Sequence, residues 1–261
     1  MRRPAAALSW IYLASIYAFI LGPMILVIAS SFNTETSFPA SFEGFTLRWY
    51  TRIWDHQEFL ASAKTSAIIA ATSAAVATAV AFLAAYAMSY RGRKENSWLA
   101  AWLASPLLVP QVVLSLGMLQ LVSIIGVGAG FMALFAVHTV HNIPFALRLA
   151  MTGFARFDFA LEDAAASLGA SKTAAWREVT IPLLRPSMVA GFVLCFIMSF
   201  VNLPISLFLA DTATSTLPVV MYSYIESRID PMLAAVSAIL FAVACATTII
   251  LDGVFRVRLV D

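Results

Sequence analysis

The sequence predicts an all-α polytopic membrane protein with six transmembrane helices, and three observations carry the prediction. Apolar residues make up 61% of the 261 residues and charged residues only 11%, against about 45–50% and about 25% in a soluble domain. Sixteen basic and fourteen acidic side chains are too few to coat a water-facing surface of this size, and the mean hydropathy is +0.88. The charges also cluster, leaving long uncharged runs between them. A disordered chain, a disulfide scaffold and an ordinary soluble enzyme are excluded. The net charge of +2 gives no ground for nucleic-acid binding. Cys195 and Cys245 lie inside apolar runs and read as small hydrophobes.

The runs define the helices in order. Arg3 and Glu35 bracket 31 uncharged residues, Lys64 and Arg91 bracket 26, Glu95 and Arg148 bracket 52, Arg185 and Asp211 bracket 25, and Asp230 and Asp252 bracket 21. One crossing takes about 20 apolar residues. Four runs fit one crossing each. The longest fits two, with a turn at Gly126–Gly130. The expected spans are 8–31, 65–89, 98–124, 131–152, 188–210 and 232–254. Runs of this length must be helical, because lipid offers the backbone no hydrogen-bond partner. The first run exceeds the roughly 7–15 residues of a secretory h-region and reads as a retained span.

An even number of spans puts both termini on one side. Arg2, Arg3, Arg91, Arg93, Lys94, Arg148, Arg156, Lys172, Arg177, Arg185, Arg256 and Arg258 fall on that side, twelve against the four of Arg48, Arg52, Lys64 and Arg228. The basic excess marks the cytoplasm. Residues 32–62 are then extracytoplasmic. Phe45, Trp49, Tyr50, Trp54 and Phe59 suit an interfacial helix with an aromatic belt.

Residues 156–187 form the one sizeable polar segment on the cytoplasmic side. Asp158 can cap a helix start, Glu162 and Asp163 sit in its first turn, and Leu161, Ala164, Ala165 and Leu168 line one apolar face. Gly169 follows as a left-handed C-cap. Ser171 caps a second short helix bearing Trp176 and Val179, which Pro182 and Pro186 end. The expected shape is a stiff knob of two short helices. Its apolar face needs a partner, either its own bundle or another chain, because a helix this short is marginal in water.

Asp163-Ala164-Ala165, three residues, Gly169, nine residues, then Val179-Thr180-Ile181-Pro182 resembles the EAA loop of ABC-importer permeases. Asp163, Val179 and Ile181 are conservative departures from Glu, Ile and Leu. Phe45–Tyr50, Pro110, His138, Pro144-Phe145, Leu217-Pro218, Met221-Tyr222 and Asp230-Pro231 extend the likeness to the polyamine (spermidine/putrescine) group, and within it to the second permease of a two-permease importer. The resemblance implies a type I importer fold in a single permease domain spanning 1–261 and located in the bacterial inner membrane. It further implies a heterodimer with a second permease, two cytoplasmic ATPase subunits that hold the ATP and Mg, and an extracytoplasmic binding protein. On that resemblance Glu162, Asp163, Ala164, Ala165, Leu168, Gly169, Trp176, Val179, Ile181 and Pro182 are the ATPase-coupling residues. The chain carries no phosphate-cradling G-x-x-x-x-G-K-[ST] motif, so no catalytic residue and no cofactor are assigned to it.

Polar groups at membrane depth mark pathways. They are Gln111, Gln120, His138, His141, Asn142, Ser199 and Asn202. Two imidazoles without a carboxylate or cysteine nearby make no metal site, so these residues either bond between helices or line the path. Val201 stands where polyamine-importing relatives usually carry a carboxylate, which weakens a polycation as cargo and leaves a small polar organic solute, polyamine-like, amino-acid-derived, opine-like or a phosphonate, while Pro204 is expected to break the fifth helix. The alternative is an ion-coupled secondary transporter. It would call for an acid in the membrane and for broken helices in corresponding halves; apart from Asp252, at the end of the last, no Asp or Glu lies in any span.

Overall fold

The computed structural model describes residues 3–34, 44–90, 97–227 and 230–255. Arg2, Arg91, Arg93, Lys94, Arg228, Arg256 and Arg258, used above to orient the chain, lie outside them. Nearly all described residues are helical, and none forms a named strand. In order the elements are α1 (Arg3–Ser30), α2 (Arg48–Arg52) running into a 3-10 turn (Ile53–Asp55), α3 (Gln57–Ser89), α4 (Ser97–Ala104) with a 3-10 turn (Ser105–Leu108), α5 (Gln111–Ile124), α6 (Phe131–Phe154), α7 (Ala160–Ser167), α8 (Lys172–Ala175), a π-turn (Trp176–Thr180), α9 (Ile181–Phe200), α10 (Leu203–Leu209), α11 (Leu217–Ser227) and α12 (Met232–Phe255).

Among the described residues three helices are long and apolar enough to cross a membrane: Tyr12–Ser30, Gln57–Ser89 and Lys172–Phe200. A fourth span is possible from two pieces, Trp98–Leu108 and Gln111–Ile124, bent by 99°. The expected continuous helix over 98–124 is therefore broken, and Pro110 is the reason. Val109 ahead of it is extended (ψ 128), as a residue preceding proline is driven to be, and α5 restarts from Pro110. The expected helix over 188–210 is also broken, but ahead of Pro204. α9 stops at Phe200, and the Asn202 side chain accepts the Ile205 N–H at 2.9 Å to cap α10. Pro204 falls in the first turn of α10, where its missing N–H costs nothing. Pro182 and Pro186 do not separate the second coupling helix from this span, since helix runs on from Lys172 to Phe200.

The chain forms two compact units, Met1–Leu60 with Met221–Thr248 and Ala61–Val220 with Ile249–Asp261. In the first, the indole of Trp49 is buried and donates to the Asn33 carbonyl at 2.7 Å, and Phe59 is buried against Tyr224. Of the five aromatics expected in a belt there, Trp49 and Phe59 are core instead, Tyr50 is half-buried, and Phe45 and Trp54 are exposed. An indole N–H inside a fold needs an acceptor, and the turn after α1 supplies it.

In the second unit α3 presents Ala70, Ala74, Ala77, Ala81 and Ala85, all fully buried, along one stripe, with Val80 and Leu83 exposed opposite. Small residues let helices approach closely where lipid removes the hydrophobic drive between them. At the α6–α9 contact an added Cβ on Gly191 would meet the Ala146 Cα at 3.9 Å, and one on Gly153 would lie 2.8 Å from Ser187 Cβ.

Apolar clusters result on either side. One gathers Phe82, Leu103, Leu147, Phe154, Leu184 and Cys195; the other gathers Ile69, Val122, Leu134, Val137, Ile205 and Leu209. Along α3, α6 and α9–α10 the residues between the clusters are polar and buried: Ser73, His138, Asn142, Ser199 and Asn202.

Candidate functional site

The segment over residues 156–187 is built as its residues dictate. Asp158 Oδ1 accepts the Ala160 N–H at 2.9 Å at the start of α7. At the other end Ala170 N–H reaches the Ala165 carbonyl and Gly169 N–H the Ala166 carbonyl, both at 3.0 Å. This paired closure around a residue of positive φ is the Schellman motif, and Gly169 supplies φ +91. Ser171 Oγ then accepts the Ala174 N–H at 3.2 Å, capping α8.

The ten coupling candidates divide into two sets. Asp163, Ala164, Leu168, Gly169 and Pro182 are exposed, Leu168 to 90%. Glu162, Ala165, Trp176, Val179 and Ile181 are half-buried. The Trp176 ring packs 6.1 Å from that of Phe82 and 6.4 Å from that of Tyr86. Glu162 accepts from the Tyr86 hydroxyl at 3.0 Å through one oxygen and from the Thr180 hydroxyl through the other. Glu162 and Trp176 therefore face the chain's own helices, and the outward surface is centred on Leu168 and Gly169. Tyr86 and Thr180 were missed in the sequence, where a tyrosine at a helix end and a threonine in an apolar stretch carry no signal of their own.

The membrane-depth candidates are also sorted. His138 is buried with both ring nitrogens engaged, Nδ1 with Ser199 Oγ at 2.7 Å and Nε2 with Ser206 Oγ at 3.3 Å, and Ser199 Oγ lies 3.2 Å from Ser73 Oγ. One imidazole thus links α6 to both pieces of the broken helix and, through Ser199, to α3. His141 faces elsewhere, with Nε2 2.9 Å from Gln111 Nε2 at the start of α5. Asn142 Nδ2 donates to the Cys195 carbonyl at 3.1 Å. Asn142 Oδ1, His141 Nδ1 and Thr78 Oγ1 are buried without a hydrogen-bond partner among the described residues. Asn202 is spent as a helix cap, and Gln120 is exposed on α5, apart from this layer. Ser73 and Ser206 escaped notice because a serine in a helix reads as a small residue. Among the described residues no group of three or more His, Cys, Asp or Glu could hold a metal.

No family model matches the chain. It is 29% identical over 238 residues to the spermidine/putrescine transport system permease protein PotC of Escherichia coli (strain K12), covering 91% of this chain and 90% of that one. It is 24% identical over 231 residues to the putrescine transport system permease protein PotI of the same strain, covering 86% and 82%. Its fold matches a chain of a bacterial ABC transporter involved in the import of the acidic polysaccharide alginate, with a TM-score of 0.71 at 15% identity over 98% of this chain and 97% of that one. The chain is thus similar over nearly its whole length to permease subunits of polyamine transport systems, and it shares its fold with a chain of an ABC transporter.

Proposed function

We propose that the chain is the second, six-span permease of a polyamine-type ABC importer, resident in the bacterial inner membrane with both termini cytoplasmic. The broken pairs α4–α5 and α9–α10 each count as one crossing in this reading, as do α6 and α12. It pairs with a different permease to enclose the path, takes solute from an extracytoplasmic binding protein, and is driven by two ATPase subunits that hold ATP and Mg. The observation that carries the reading is the knob itself: a Schellman-closed helix with Leu168 and Gly169 outermost, carrying the Asp163-Ala164-Ala165 spacing on a fold matched by ABC permeases. Leu168 at 90% exposure is an apolar anchor for a partner's groove. The cargo is a small organic cation of the spermidine or putrescine class, as the names of the relatives suggest. The spans carry no acid short of Asp252 at the end of the last, so cation selectivity rests on neutral acceptors such as Asn142 Oδ1 and His141 Nδ1 and on the partner permease.

The test is uptake of labelled spermidine and putrescine by proteoliposomes holding both permeases, the ATPase and the binding protein. ATP-dependent uptake that disappears when the partner permease is left out is expected. Uptake by this chain alone, driven by an ion gradient, would mean a secondary transporter.

A further inference from the structure

We propose that Glu162 is a positioning residue that ties the exposed knob to two spans at once, so that displacement of α7 is delivered to α3 and α9 together. The inference rests on the coupling reading above and extends it inward from the docking surface. Glu162 lies in the first turn of α7 and is half-buried, where Leu168 is exposed. Its two carboxylate oxygens are used separately. Oε2 takes the hydroxyl of Tyr86, near the end of α3, and Oε1 takes the hydroxyl of Thr180, which is fully buried. Hydrogen bonds to an ionised carboxylate are about twice as strong as neutral ones.

The second observation is where Thr180 sits. It closes the π-turn Trp176–Thr180, through which α8 continues into α9. A π-turn is an irregularity in the helical ladder and recurs at functional sites. Here it is the one wide turn in the helix that joins the knob to the membrane. A knob attached through that turn alone is free to pivot on it, and motion at Leu168 would be absorbed there. Glu162 bridges the turn from outside: α7 holds Thr180, the last residue of the turn and the N-cap of α9, directly, while Tyr86 fixes the same carboxylate to α3. Tyr86 is braced in turn by the rings of Phe154, 5.8 Å away, and Trp176, 6.4 Å away.

The test uses the complete importer in proteoliposomes and reads two quantities for each variant: ATPase subunit retained on purification, and ATP hydrolysed per solute imported. Glu162→Ala should keep the ATPase bound, since Leu168 and Gly169 are untouched, and raise the ATP-to-solute ratio about tenfold, a typical size for a coupling change. Thr180→Val and Tyr86→Phe should each raise the ratio by less, and neither should add to the effect of Glu162→Ala. Thr180→Ser keeps the hydroxyl and should restore the original ratio. An unchanged ratio in Glu162→Ala would overturn the proposal. So would loss of the ATPase in that variant, which would place Glu162 in the docking surface. Leu168→Asp separates this from the parent reading. If Leu168→Asp retains ATPase and uptake, the coupling segment is wrongly assigned. If it loses both while Glu162→Ala leaves the ratio unchanged, only the tie is wrong.

Discussion

Asn142 and Cys195 bond each other's backbone: the Asn142 amide donates to the Cys195 carbonyl at 3.1 Å, and the Cys195 thiol donates to the Asn142 carbonyl at 3.4 Å. Both residues are fully buried. The reciprocal pair fixes the register of α6 against α9 near the small-residue contact of Ala146 and Gly191. In an apolar surround a lost partner is not replaced by water.

Asn142→Ala should therefore destabilise the protein by about 1–3 kcal/mol, the cost of removing a buried hydrogen-bond partner. Thermal unfolding in detergent reads this directly. In the same preparation the Cys195 thiol should resist alkylation until the protein unfolds, while the half-buried Cys245 reacts first.

Gly153→Ala tests the tightest helix approach. The new Cβ would stand 2.8 Å from Ser187 Cβ, an atom fixed to the backbone of α9 that cannot swing away. Overpacking of this kind costs about 1–3 kcal/mol. A paired Ser187→Gly substitution should recover most of the loss. A Gly153→Ala variant that melts with the parent would show that the helices separate freely.

At Gly169 the constraint is one of conformation alone. A Cβ there would meet nothing within 4 Å, but φ is +91. Gly169→Val should cost about 1 kcal/mol or more, whereas Gly169→Asn, which tolerates the left-handed region, should cost less. Both variants should insert in the membrane normally. ATPase retention should fall for Val and largely survive for Asn, as co-purification would measure. Equal retention in the two would mean that the turn is not what seats the knob.

Asp211 gives a pH signature outside the membrane. It is exposed, and its Oδ1 accepts from the Thr214 hydroxyl at 2.7 Å and from the N–H groups of Thr214 and Ala213 at 2.7 and 3.0 Å. The Thr214 hydroxyl above all, with the backbone donors, holds its carboxyl below the ordinary range. A depressed acid stabilises its loop above the unfolded value, near about 3.9, and that stabilisation is lost as pH falls through the lower folded value. Thr214→Ala should move the Asp211 titration back up toward the ordinary carboxylate range, as carboxyl chemical shifts would record. A titration unmoved by Thr214→Ala would rule out the hydroxyl as the cause.

Composition and charge spacing by themselves determined that this chain is a helical membrane protein, because about twenty uncharged apolar residues have no other use. The caps of the segment over residues 156–187 were equally legible. Asp158, Gly169 and Ser171 act through backbone groups within a few residues of themselves, and such effects are written locally. What only the tertiary structure decided is which way each side chain faces and what waits for it there. Glu162 and Asp163 are adjacent acids on one helix, yet one is tied to Tyr86, 76 residues away in sequence, while the other is exposed. His138 and His141 lie one turn apart, yet one bonds Ser199 and Ser206 and the other Gln111. A uniformly apolar helix has no amphipathic stripe to announce its buried face. The partner of a polar side chain in the membrane is then settled by which helices cross and at what depth.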